Sequence, residues 1–491
     1  MKIKITFLFL AVSLFGQLNA QLNLNYDPEA QPTDNIQYFC PKGDNLFVGD
    51  CIPFNRHGTY YLYWLLDSGH HSALNGLGGH QWTLSTSTDL KTWKHYPVVI
   101  GIDEEWEKSI CTGSVVYNKG KFYAFYATRL LVDGKVNEQL SYAISDDGIH
   151  FKKQKPNPFF ASAPGYSARD FRDPKVFVDP SGAFHLLVSS RTENAPLKGF
   201  AGALVHMTSK DLKTWSVKQP VLYGQKAVPE CPDYFKWNDW HYLVYSIDGD
   251  TYYVKSKNPL GPWEQPEYQA FAQGWFNVAK TAEFKNNRRI AAGWIPSRRD
   301  NSDDNGEIFG GNAVLRELIQ TPNGTLAAKF LEEGFKNSTP LSSIKIIPDA
   351  TSKKLSDNSF LLDAKDGTAV VRLEGVPFRS RISFQAEAQG LHDEFGLMLR
   401  AKDDGSNGYR LAFSSLDQTA TLHDARINSV ENLDKKITIE IALADDIVDT
   451  EINRQRCLVN RLINQKGEAV FFYVKHGKLL ISDLKILPLT R

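Results

Sequence analysis

The sequence predicts an all-β chain, a five-bladed β-propeller followed by a C-terminal β-sandwich, and three observations carry that expectation. An aromatic strand behind a turn residue recurs five times with a period near sixty residues. A short Asp-to-Trp turn signature recurs between those copies, and the last third of the chain keeps a period-2 alternation without either signature. At 491 residues the chain is also too long for one hydrophobic core, so a second unit is expected from length alone.

The first element is a leader. Met1-Lys2-Ile3-Lys4 is a short basic start, Ile5 to Phe15 an apolar run, and Gly16-Gln17-Leu18-Asn19-Ala20 ends on a small residue. This predicts a signal peptide over residues 1–20 and a secreted or periplasmic protein. The apolar run is too short for a comfortable span, so no membrane insertion is expected, and no Cys near the cut suggests a lipid anchor.

The propeller is expected over residues 21–330. Its strands read Gly58-Thr-Tyr-Tyr-Leu-Tyr-Trp-Leu, Gly120-Lys-Phe-Tyr-Ala-Phe-Tyr-Ala, Gly182-Ala-Phe-His-Leu-Leu-Val-Ser, Asp239-Trp-His-Tyr-Leu-Val-Tyr-Ser and Asn287-Arg-Arg-Ile-Ala-Ala-Gly-Trp, with starts 62, 62, 57 and 48 residues apart. Asp89-Leu-Lys-Thr-Trp93 returns letter for letter as Asp211-Leu-Lys-Thr-Trp215, with looser cousins at Ser145–Phe151 and Ser256–Trp263. About four short strands per 50–60 residues make one propeller blade, and five copies make a five-bladed ring. A sandwich is expected over residues 340–491 from alternating stretches such as Arg381-Ile-Ser-Phe-Gln-Ala-Glu and Lys436-Ile-Thr-Ile-Glu-Ile-Ala. It is expected to pack on the propeller, with a lectin-like module as the alternative.

Composition limits the partners. With 56 basic against 56 acidic side chains the chain lacks the basic excess that nucleic acid binding needs. Aromatic residues make up 12% of it, which suits sheets and also stacking on sugar rings. Five scattered cysteines (Cys40, Cys51, Cys111, Cys231, Cys457) form no disulfide framework. His70-His71 and His80 come nearest to a metal cluster but lack ligand spacing, so neither metal nor cofactor is expected.

Counting back about eight residues from each turn lands on the innermost strand of the same blade, at Asp50, Thr112, Asp173, Glu230 and Lys280. Innermost strands surround the central channel, so three carboxylic acids far apart in sequence are expected to converge. They sit among apolar residues and prolines (Phe47-Val-Gly-Asp-Cys-Ile-Pro-Phe54, Phe171-Arg-Asp-Pro174, Pro229-Glu-Cys-Pro-Asp233), surroundings that separate carboxyl pKa values. Paired carboxylates, one attacking and one donating a proton, are the usual equipment for glycosidic hydrolysis.

These residues resemble glycoside hydrolase family 32, the invertases, inulinases and levanases. The likeness runs through Gln81-Trp82, Asp89-Leu90, Trp93, Thr112-Gly113-Ser114, Arg172-Asp173-Pro174, Glu230-Cys231, Gly293-Trp294, Gly310-Gly311 and Arg316-Glu317-Leu318, with Asp449-Thr-Glu-Ile-Asn453 late in the chain. The resemblance implies a retaining β-fructosidase of sucrose or fructans, which the leader would make an exported one. Asp50 would be the nucleophile, Asp173 the transition-state stabiliser and Glu230 the acid/base, with Arg172 contacting sugar. Trp82, Ser114, Trp294 and His71 are further candidate substrate contacts, as are Trp64 and His70, although each residue type serves blade packing equally well. One departure stands out: Gly49 and Cys51 flank Asp50 where the family has an Asn-Asp-Pro motif, so the sugar-contacting amide is missing. Arabinofuranosidases and xylosidases on the same scaffold, or a glycan-binding propeller without turnover, are the alternatives.

Overall fold

The computed structural model describes residues 22, 24–195, 197–268, 270–335, 338–341, 344–390 and 392–489; the leader expected over residues 1–20 lies outside them. The described chain is almost entirely β-structure, and none of its helices is long and apolar enough to cross a membrane.

Five strands organise the N-terminal part: β1 (Leu46–Arg56), β2 (Ser109–Asn118), β3 (Tyr166–Val178), β4 (Glu230–Trp237) and β5 (Asn277–Phe284). Each opens an antiparallel meander of successive strands. The recurring aromatic strands of the sequence are the second strand in every meander. The opening strands touch one another in order, β1 to β2, β2 to β3, β3 to β4 and β4 to β5, and β5 returns to β1. The series of contacts therefore closes on itself.

The local signals explain the meanders. Two-residue hairpins with both residues at positive φ occur at His57-Gly58, Lys119-Gly120, Asp133-Gly134 and Asp248-Gly249, the turn geometry whose twist matches that of paired strands. The Asp-Leu-Lys-Thr-Trp signature is a capped turn. Asp89 Oδ1 accepts from the backbone N–H groups of Lys91 and Thr92, and Asp211 Oδ1 from those of Lys213 and Thr214. Ser87 and Ser209 take the N–H groups of Leu90 and Leu212, which are both left-handed.

From Lys345 onward the strands share a second sheet system built on the long strand Ala469–Pro488, which pairs with Ser359–Glu374, Ser380–Ala388 and Glu394–Ala401. Alternation is literal in Ser380–Ala388: Ser380, Ile382, Phe384 and Ala386 are buried while their neighbours are half exposed. Apolar residues of both parts, including Phe276, Ile295 and Val314 with Leu458 and Val459, form one continuous core. Ion pairs tie the two together. Arg316 donates to Asp449 Oδ2 at 2.5 Å with both side chains buried, and Tyr38 Oη donates to the same oxygen at 2.7 Å. Arg298 reaches Asp424, Asn460 and the carbonyl of Arg461. The Arg316 and Asp449 motifs seen in the sequence thus meet across this interface.

Candidate active site

Every opening strand carries the same defect. In each, three steps along the strand answer two on its partner: Val48 to Cys51, Ile110 to Gly113, Arg172 to Lys175, Glu230 to Asp233 and Asn277 to Lys280. One extra residue per strand makes five bulges at one level of the ring, and bulges re-aim side chains beside active sites. Asp173, Cys231 and Val278 adopt positive φ inside them.

The acids lie within these bulges but not at one register. Glu230 opens its bulge, Asp173 is second in its own and Asp50 third. Counting from the turns located the bulges but could not resolve positions inside them, because the extra residue changes which face each side chain meets.

Above the bulges lies a cavity of about 790 Å³ lined by all three acids, Arg172, Trp294 and His71. Asp50 is nearly buried; its Oδ1 accepts from Trp294 Nε1 at 3.1 Å and its Oδ2 from Cys231 Sγ at 3.5 Å. Asp173 Oδ2 accepts from the backbone N–H of Cys231 at 3.0 Å and lies 3.8 Å from Arg172 Nε. Glu230, the most open of the three, takes Arg172 Nη2 at 3.0 Å. Arg172 also donates to Asp170 at 2.5 Å, so one guanidinium spans Asp170, Asp173 and Glu230.

Burial dominates the electrostatics. It raises the Asp173 carboxyl to about 7, opposed by Arg172 and reinforced by Glu230, and it raises Glu230 as well, again opposed by Arg172. Arg172 stays charged despite its own burial because Asp173, Glu138 and Glu230 surround it. Burial, His80 and Arg129 lower His71 to about 4, so its ring is neutral at pH 7.

Other expected contacts do not reach the cavity. Trp82 is fully buried, donates to the carbonyl of Cys111 at 2.9 Å and packs between Tyr63 and Tyr126. Ser114 Oγ donates to the carbonyl of Pro174 and accepts from the N–H of Val176, both at 2.7 Å, which stitches β2 to the bulge of Asp173. Trp64 is buried against Tyr26 and Phe39. These three are packing residues, since their polar atoms are spent within the fold. Thr112 lines the cavity, but Lys280 sits behind it, buried, donating to Thr112 Oγ1 at 2.7 Å.

The cavity also holds two groups the sequence did not single out, Arg129 and Glu138. Glu138 pairs with Arg129 at 2.8 Å, and Arg129 donates to His71 Nε2 at 2.6 Å. His80 lies 3.1 Å from buried Asp67, and His71 lies 3.2 Å from His80. Arg129 and Glu138 are cross-strand partners equidistant from the Asp133-Gly134 turn, so the hairpin pattern could have paired them. Among the described residues no group of His, Cys, Asp and Glu has the arrangement of a metal site.

An all-β chain whose opening strands converge on a carboxylate-lined cavity falls among the proteins with acid-centred sites on ringed β-meanders. Comparison with known proteins narrows this. The family pattern "Glycosyl hydrolases family 32 N-terminal domain" matches residues 52–326, more than half the chain, and the protein belongs to that family. The match starts just after Asp50 and contains Asp173 and Glu230. The chain is 25% identical over 288 residues to a sucrose-6-phosphate hydrolase of Escherichia coli, covering 54% of this chain and 58% of that protein, so little more than half of the relative's length is represented. It is 22% identical over 513 residues to a levanase of Bacillus subtilis (strain 168), covering 92% of this chain and 68% of the levanase. Its fold is shared with fructan 1-exohydrolase IIa from Cichorium intybus, with a TM-score of 0.70, 17% identity, and coverage of 94% of this chain and 97% of the other.

Proposed function

We propose that the protein is an exported, retaining glycoside hydrolase that removes terminal β-fructofuranosyl units from sucrose or fructans. The observation that carries this reading is the convergence of Asp50, Asp173 and Glu230 on one cavity, with a single guanidinium contacting two of them and their environments distinct. Family membership and the fructan-directed relatives support it.

In this reading Asp50, oriented by Trp294 and Cys231, attacks the anomeric carbon and forms a fructosyl-enzyme. Glu230, whose carboxyl burial keeps protonated to higher pH, donates to the departing oxygen and then takes a proton from the water that cleaves the intermediate. Asp173, charged once sugar hydroxyls donate to it, stabilises the cationic transition state. Arg172 holds Glu230 and Asp173 apart in charge and contacts the sugar. The five meanders act as the blades of a five-bladed propeller over residues 21–330, and residues 340–491 as a β-sandwich packed on it. The leader at residues 1–20 directs the protein to the periplasm or outside the cell. Gly49, with no side-chain amide, favours a second reading in which the same machinery cleaves another furanoside.

Hydrolysis of sucrose, inulin, levan and aryl arabinofuranosides, with proton NMR of the first-formed anomer, tests both. Retained configuration on a fructoside supports the proposal. Inversion, or turnover confined to pentosides, refutes it.

A further inference from the structure

The cavity wall beside Asp50 is unusual at one point. A Cβ on Gly49 would stand 2.8 Å from Cζ and 2.9 Å from Cε1 of Phe309, and 3.1 Å from Leu65 Cβ. Close-packed interiors do not tolerate such approaches, so the Phe309 ring fills the room that any side chain at position 49 would need. The ring is held there. It stacks on His80 with centroids 4.7 Å apart, meets Trp294 at 4.9 Å, and its backbone carbonyl lies 2.8 Å from His70 Nδ1. Trp294 donates to Asp50 and packs on Phe309, and all three line one cavity. Phe309 is half-buried and lines the cavity.

We infer that Phe309 is a specificity-determining residue: it gives the subsite over Asp50 an aromatic wall that takes a sugar by its C–H face. This rests on the glycosidase reading of the site. Rings stack on the apolar face of a saccharide, so the sugars it fits turn a C–H edge to Phe309 and their hydroxyls toward the carboxylates and Arg172. The pairing is reciprocal, since a larger residue 49 requires the Phe309 ring either to leave its contacts with His80 and Trp294 or to be smaller.

The test measures kcat, KM and, on the Glu230→Gln background, sugar affinity. Phe309→Ala, Phe309→Tyr and the pair Gly49→Asn with and without Phe309→Ala are compared on sucrose and aryl arabinofuranosides. Phe309→Ala should raise KM and weaken affinity up to about tenfold, while Phe309→Tyr, which keeps the ring, stays within about threefold of wild type. Gly49→Asn alone should lower thermal stability, the double variant should recover it, and the double variant's ranking of the sugars should change. The inference is overturned if Phe309→Ala keeps wild-type KM, affinity and ranking, or if Gly49→Asn is tolerated without Phe309→Ala. A Phe309-dependent preference for a pentoside would refute the fructosidase reading and leave this one standing.

Discussion

Replacing Asp173 with Asn should stop the reaction and at the same time stabilise the protein. Burial lifts the Asp173 carboxyl from 3.8 to about 7 in the folded state. A carboxyl raised on folding favours the folded state while protonated; that advantage is complete below about pH 4 and is lost as pH rises through about 7. Three pH units of difference correspond to about 4 kcal/mol of destabilisation by the ionised side chain at pH 8, and partial relaxation of Arg172 toward it leaves about 2–4 kcal/mol. Asn keeps an oxygen for the N–H of Cys231 without the charge, and Arg172 retains Glu230 and Asp170. Urea unfolding of wild type and Asp173→Asn at pH 4, 6 and 8 reads the effect. The two curves should lie together at pH 4 and separate in favour of the variant by about 2–4 kcal/mol at pH 8. A pH-independent difference, or a variant less stable than wild type at pH 8, would refute the reasoning, because it would mean the carboxylate is held by favourable partners and not strained by burial. Such a gain would be a stability–activity trade-off located in one side chain.

Two further changes follow from named contacts. Glu230→Gln should lower kcat by about 10²–10⁴-fold, as loss of a general acid does, and leave sugar affinity within a few-fold when measured by calorimetry; wild-type turnover would remove Glu230 from the acid/base role. Asp449→Asn leaves buried Arg316 without its counter-charge and should cost about 3–5 kcal/mol in unfolding free energy, whereas replacing both partners with apolar residues of similar volume should cost much less.

Much of this arrangement was legible in the sequence, for reasons that also mark where reading fails. A period near sixty residues survives because each meander repeats one hydrogen-bonded unit, so turns such as Lys119-Gly120 and capped loops such as Asp89–Trp93 print themselves on the chain. The acids were found through that period to within a residue or two, and the bulges then set which acid stands where. Trp82 and Ser114 lie away from the cavity, and the sequence does not show it, because an indole or hydroxyl bonded to a backbone group and one facing a sugar look the same in one dimension. Phe309 had no signal at all: its significance is the absence of a side chain at Gly49, which only the fold brings against it. The pairing of Arg316 with Asp449 was equally hidden, since it crosses between two sheet systems.

In the proposed mechanism Asp50 carries the sugar during the reaction. Mass spectrometry of the Glu230→Gln variant, quenched after mixing with a fructosyl fluoride and digested to peptides, examines it directly, since the activated leaving group needs no acid while release of the intermediate needs the missing base. The expected result is one hexosyl residue on the peptide containing Asp50 and none in an Asp50→Asn control. An adduct on any other residue, or hydrolysis with no adduct at any quench time, would contradict the account.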